Sequence, residues 1–154
     1  MPKERVDSLL SAFGRLPQRV IVKFDNPVAG APKNVLIKPF LPQQDILAHP
    51  KTILFVTHCG MHGVMEAIYH RYRQRLRRLC YNIKTKTVKK QSVIVFFRVP
   101  MVGMPVFIDQ GDVLVRMEEK GIAFGIEKNA DSDTIYNGIV RVRDDDKYVL
   151  KEIF

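Results

Sequence analysis

Only two of the 154 residues are cysteines, Cys59 and Cys80, which excludes a disulfide framework and a zinc cluster with its usual spacing. No run reaches the roughly 18 apolar residues that a membrane-spanning helix needs. The opening MPKERVDSLL lacks the apolar core of a signal peptide, so the chain as written is expected to be soluble. His58 and His62 stand near Cys59, but there is no HExxH pattern and no third ligand at a suitable spacing, so no metal site is expected. The six-residue glycine pattern of dinucleotide folds is missing as well. Acidic residues are absent from one central stretch, YRQRLRRLCYNIKTKTVKKQSVIVFFR (Tyr72–Arg98), which holds nine Lys and Arg.

That stretch controls the charge. A net charge of +9 would ordinarily point to nucleic acid or an anionic membrane. All nine excess charges fall within Tyr72–Arg98, and the remainder of the chain is formally neutral. The basicity therefore belongs to one segment and not to the domain, and no nucleic-acid partner is expected. The length allows one domain with a sizeable core, and 46% apolar with 27% charged residues is ordinary globular composition.

The periodicities alternate. Val6, Leu9, Leu10, Phe13 and Leu16 recur at helical spacing before Pro17. RVIVKF (Arg19–Phe24) and Val35–Lys38 read as strands, separated by the loop DNPVAGAPKN. A brief helix is predicted near Asp45–Ala48. TILFVT (Thr52–Thr57) suits a parallel strand covered on both faces. Met61–His70 reads as a helix with Val64, Ala67 and Ile68 on one side. Val99–Phe107 is a further apolar strand, Gln110–Lys120 a helix stopped by Gly121, and Ile122–Ile126 a short strand. Asp131–Arg143 is an amphipathic helix with Ile135, Ile139, Val140 and Val142 on its apolar side. Alternating strands and helices predict an α/β fold with a mainly parallel sheet. Ligands bind beyond the carboxyl ends of such strands, so the loops after Thr57 and Phe107 should share one functional edge.

FVTHCGMHGVMEAIYH (Phe55–His70) carries the strongest local signal. A strand leads through two glycines into a helix N-terminus, where free N–H groups and the helix dipole favour a phosphate or diphosphate. Gly60 and Gly63 allow close backbone approach, or serve only a tight turn. His58 is placed to donate to a phosphate oxygen and Glu66 to accept from a ribose hydroxyl. Asp109 and Gln110 offer an acceptor and an amide suited to sugar hydroxyls. On the residues alone, Phe40 reads as core rather than as a stacking platform, and His49 and His70 as residues that cap or pack near helix ends.

FLPQQDILAHP, FVTHCGMHGVMEAIYH and VPMVGMPVFIDQGD, in this order, closely resemble the donor-binding signature of the UDP-glycosyltransferases, the family that includes animal UDP-glucuronosyltransferases. The resemblance covers most of the chain outside the basic stretch. It implies a GT-B architecture, in which two Rossmann-like domains face each other across a cleft, with this chain as most of the C-terminal, UDP-sugar-binding domain. Carried over residue by residue, Phe40 stands where the family usually has a Trp that stacks on uracil, and Gln43 matches the Gln near the uridine. His58 and the Cys59–Gly63 backbone match the diphosphate loop, with Gly63 where a Ser is frequent. Glu66 matches the ribose ligand, and Asp109 and Gln110 the pair that holds the donor sugar. Val113 stands where an Asn is common.

The resemblance implies transfer of a hexosyl or glucuronosyl group from UDP-glucose or UDP-glucuronate to a small lipophilic acceptor, with inversion and without a cofactor beyond the UDP-sugar co-substrate. It also implies a catalytic His base, oriented by an Asp, in an N-terminal domain with no counterpart here. The chain matches the family from the first helix of the C-terminal domain and stops before the membrane helix and basic tail of animal members, which reside in the endoplasmic reticulum membrane. Donor binding is thus expected and independent turnover is not; a fragment or pseudoenzyme that binds UDP-sugar, or a full-length partner, is the rival reading, and self-association into a homo-oligomer stays open. A missing neighbour strand would expose pairing groups and lower stability. Residues 1–71 and 99–154 form the expected donor domain, and 72–98 is a basic insertion. Codons for Arg71-Tyr72 accommodate a splice donor and those for Phe96-Phe97-Arg98 a pyrimidine tract with an acceptor. Removing those 27 residues restores EAIYH-R-VPMVGMP in frame, which reads as a retained intron. A solvated loop or an anion-binding patch are the other readings.

Overall fold

The computed structural model describes residues 2–26, 28–69 and 99–149. The basic stretch and His70 lie outside the described residues. Every strand pairing among them is parallel. β1 (Val20–Lys23) pairs with β2 (Val35–Lys38), while β3 (Phe55–Thr57), β4 (Met101–Gly103) and β5 (Ala123–Gly125) form a second sheet in the order β3-β4-β5. Helices α1 (Lys3–Gly14), α2 (Gln43–Leu47), α3 (residues 61–69), α4 (Ile108–Glu119), α5 (Ser132–Asp144) and α6 (Asp146–Val149) connect or flank the strands. The α/β class and the parallel sense expected from the sequence are those of the structure.

One apolar layer joins the two sheets on the α1–α5 side. Val20 and Val22 from β1, Val35 and Ile37 from β2, Val56 from β3 and Val102 from β4 pack with Leu10, Phe13, Ile135 and Ile139. Strand side chains alternate between faces, so a second cluster forms on the opposite face, from Val64, Ala67, Met101, Leu114 and Ala123. α1 and α5 are further linked at the surface by the Arg15–Asp133 ion pair and by the Arg15 guanidinium 4.0 Å over the Tyr136 ring.

The strands are shorter than the β-prone runs that contain them. TILFVT pairs only at Phe55–Thr57, and the expected cover on both faces does not hold: Ile53 is 46% exposed, and Phe55 and Val56 are half-buried. The reason is position, because β3 ends its sheet and no described strand lies along its outer edge. A neighbouring strand on that side is what would bury such a run.

Helix ends follow local chemistry. α4 closes in a Schellman motif: Gly121 takes φ 62° and donates to Glu118 O at 2.8 Å, and Ile122 donates to Met117 O at 3.0 Å. Asp131 caps α5 by accepting from Thr134 N at 2.8 Å, and hydrogen bonding from the Thr134 side chain, with that backbone bond adding to it, holds the Asp131 carboxyl below the usual range. At the end of α1, Asn34 Nδ2 lies within 2.8 to 3.1 Å of the carbonyls of Phe13, Leu16 and Gln18. One amide from the β1–β2 loop thereby ties the end of α1 to the segment that leads into β1. The turn after α2 is closed by His49, whose Nδ1 accepts from Lys51 N at 3.2 Å.

Candidate functional site

Thr57 of β3 and Gly103 of β4 are register partners, so both strands end level. Met104 N donates to Thr57 O at 2.8 Å, and Ile126 N to Gly103 O at 2.8 Å. The loops leaving β3 and β4 thus emerge together at one carboxyl edge, where the alternation of elements predicted a ligand site.

The loop after β3 turns at Cys59, which adopts φ 65°, and not at either glycine. Its N–H donates to the Thr57 hydroxyl at 3.2 Å, and its thiol is buried. Burial, with the nearby Glu118 charge adding to it, pushes the Cys59 thiol up to about 11. It therefore stays protonated near neutrality and packs, without acting as a nucleophile. The glycines have other reasons. A β-carbon on Gly60 would stand 2.5 Å from His58 Nε2, so the imidazole lies over that glycine. A β-carbon on Gly63 would meet only ordinary contacts, 3.6 Å from Gln43 Nε2 and 3.8 Å from Thr57 Oγ1. Gly63 is therefore not required by the fold, and the place has room for a Ser-sized side chain.

α3 begins directly after this loop, with Val64 N donating to Gly60 O at 3.1 Å. Its buried Val64 and Ala67 hold the first turn against the sheet. The N–H groups of a first turn have no intrahelical acceptor and point outward, which favours an anion there. One turn on, Glu66 meets α2: Gln43 Nε2 donates to its Oε2 at 2.7 Å and Gln44 Nε2 to its Oε1 at 3.0 Å. Gln43, Gly63 and Glu66 are thus contiguous, as a shared site requires.

The loop after β4 has a corresponding internal brace. Gln110, 8% exposed, uses Oε1 to accept from Val106 N at 2.8 Å and from Phe107 N at 3.1 Å. Two backbone donors fix the oxygen there, which directs Nε2 away from them as the donor left for other groups. Asp109 is exposed beside it on the first turn of α4. Phe40 is 77% exposed, so the core assignment made from the residues alone is wrong. Its ring stands on the surface just past β2, three residues before the start of α2. Val113 packs against the apolar cluster under α4.

Sequence reasoning missed Thr57 and Gln44. Thr57 is legible only as one more β-branched residue. Gln44 is distinguished from any surface Gln only by a partner 22 residues away. Among the described residues, no group of three or more His, Cys, Asp or Glu is arranged to hold a metal ion.

Residues 1–72 match the model of the family described as UDP-glucoronosyl and UDP-glucosyl transferase. UDP-glucuronosyltransferase 2B7 of Homo sapiens is 33% identical over 150 residues, which cover 96% of this chain and 23% of that protein. A UDP-glucuronosyltransferase of Pleuronectes platessa is 36% identical over 124 residues, 80% of this chain and 21% of that protein. Among solved structures, a glycotransferase of kitacinnamycin superposes with a TM-score of 0.71 at 20% identity, covering 96% of this chain and 33% of that one. Os79 from O. sativa, in complex with UDP, superposes with a TM-score of 0.67 at 22% identity, covering 94% and 30%. The fold is therefore a partial, open form of the Rossmann-like half of a GT-B glycosyltransferase. The chain belongs to the UDP-glycosyltransferase family, of whose curated members such as 2B7 it spans 23% of the length.

Proposed function

We propose that this chain is the UDP-sugar-binding part of a UDP-glycosyltransferase. The observation that carries the reading is the junction of α2 and α3, where Gln43 Nε2 holds Glu66 Oε2 at 2.7 Å beside the diphosphate-type loop. A carboxylate fixed at the rim of a helix N-terminus offers paired acceptors to a ribose diol, while the first-turn amides and His58 receive the diphosphate. Phe40, exposed at the end of β2, supplies a face for the uracil ring, and Asp109 with the Gln110 amide binds hydroxyls of the donor sugar.

In the complete enzyme, the chain's task is to hold the anomeric carbon of the donor in place and to stabilise the UDP leaving group as negative charge develops on it. The loop amides and the α3 dipole act on that charge without having to reorganise. A hexosyl or glucuronosyl group then passes to a hydroxyl of a small lipophilic acceptor. The base that takes the acceptor proton belongs to the facing domain, and the endoplasmic reticulum membrane is the proposed location of the complete protein. Donor binding without turnover is the second reading.

Titration calorimetry with UDP-glucose and UDP-glucuronate tests the binding claim: heat from neither ends it. A turnover assay with and without a facing N-terminal domain separates the two readings.

Residues 72–98 are proposed to be an insertion within this domain, encoded by a retained intron. The match to the family model, which stops at residue 72, supports this. Transcript sequences that uniformly contain the stretch would overturn it.

A further inference from the structure

We propose that Gln44 is a positioning residue for the donor site: with Gln43 it locks the Glu66 carboxylate in the orientation that receives a vicinal diol. The proposal rests on the reading of Glu66 as the ribose ligand given above. Two consecutive amides on one short helix each donate to a different oxygen of the same carboxylate, at 2.7 and 3.0 Å. One such bond leaves a carboxylate free to rotate about its terminal torsion, whereas two fix its plane. A carboxylate oxygen has two lone pairs, so it accepts a ligand hydroxyl beside an amide N–H. The two oxygens then face the two hydroxyls of a ribose together.

The clamp is firmly mounted. α2 starts directly after Pro42, its Leu47 is 2% exposed, and the Thr52 hydroxyl donates to Ile46 O at 2.5 Å. Pre-ordering of this kind strengthens binding because less freedom is lost when the ligand arrives. Gln43 has a second task, since its amide stands 3.6 Å from the place of a Gly63 β-carbon and so borders the diphosphate loop. Gln44 is the cleaner probe, because it donates to Glu66 and does not stand at the Gly63 position as Gln43 does.

The test is calorimetry on the full chain with UDP and with 2′,3′-dideoxyuridine diphosphate, which lacks both ribose hydroxyls. Wild type should prefer UDP, and Glu66→Ala should abolish the preference. Gln44→Ala should weaken UDP binding roughly three- to tenfold, the range of an ordinary net hydrogen bond, and leave the dideoxy ligand unchanged. Gln44→Met, which keeps the length but removes the donor without adding a charge, should do the same, and Gln44→Ala should add nothing in a Glu66→Ala background. If Glu66→Ala removes the preference and both Gln44 variants keep it, Gln44 does not position the carboxylate. Equal weakening of both ligands by Gln44→Ala assigns it a merely structural role and also overturns the proposal. Absence of UDP binding, or a preference that survives Glu66→Ala, overturns the donor-site reading itself and the proposal with it.

Discussion

The imidazole of His58 occupies the space that a side chain on Gly60 would need, with Nε2 2.5 Å from the position of a β-carbon there. The glycine is kept for the sake of its neighbour's ring and not for its own backbone, which has no positive φ. Gly60→Ala should therefore expel the ring from the loop. Because His58 is an exposed side chain able to swing outward, stability should change by no more than about 1 kcal/mol, whereas UDP affinity should fall roughly tenfold through loss of a charge-assisted contact. Thermal unfolding and calorimetry on the same sample separate the two effects. A variant that unfolds would show that the backbone itself demands glycine.

Phe40 offers the opposite combination. It contributes little to the core at 77% exposure, so Phe40→Ala should alter stability by less than about 0.5 kcal/mol. If the ring stacks on the uracil, UDP affinity should drop by about 1 kcal/mol or more, the lower end for a base on an aromatic face. Phe40→Trp should bind UDP more tightly than wild type, because the platform is larger. Inorganic diphosphate, having no base, should be insensitive to both changes.

Gln110 combines two roles that one pair of variants can separate. Gln110→Ala removes the acceptor of the Val106 and Phe107 N–H groups and should destabilise the chain by about 1–2 kcal/mol, the net worth of two part-buried hydrogen bonds. Gln110→Glu retains an acceptor at the positive end of α4, so it should keep most of that stability. It loses the amide donor, so UDP-sugar binding should still weaken relative to UDP alone. Denaturant unfolding reads the first effect, and competition between UDP and UDP-glucose reads the second.

Burial of Cys59 makes stability depend on alkaline pH. Its thiol ionises near 9.0 when unfolded and at about 11 in the fold, so the folded state retains the proton over that interval while the unfolded state loses it. The contribution is complete below pH 9, declines as pH rises, and is lost by about pH 11, amounting to about 2 kcal/mol. Denaturant midpoints measured from pH 8 to pH 11 should fall more steeply for wild type than for Cys59→Ala. Parallel curves would show that the thiol is not protected.

Much of the fold is legible in local pattern. The parallel α/β alternation, β2 at Val35–Lys38 and the stop of α4 at Gly121 depend on spacing and backbone preference, which a sequence displays directly. Strand length is not legible in the same way. Thr52–Thr57 is β-prone throughout, yet its ladder runs only over Phe55–Thr57, because a ladder extends only as far as its neighbour does. In Val99–Phe107 the ladder is confined to Met101–Gly103 between Pro100 and Pro105, which have no N–H to continue it. The site shows the same division. His58, Glu66, Asp109 and Gln110 are legible as candidates from their residue types and their places after strands or in the first turns of helices. Phe40 was misread as core from its residue type, since whether a ring is buried depends on what packs over it.

The sequence by itself determined that the chain is a parallel α/β domain of the UDP-glycosyltransferase family, with a glycine-containing loop between β3 and α3 and its excess charge confined to residues 72–98. Only the tertiary structure decided that the turn falls on Cys59, that Gly60 yields its space to His58, that Gln110 braces the loop before α4, and that Gln43 and Gln44 together hold Glu66. The first set follows from chemistry within a few consecutive residues. The Glu66 clamp joins residues more than twenty positions apart, and the other three depend on side-chain and backbone geometry that residue types do not specify.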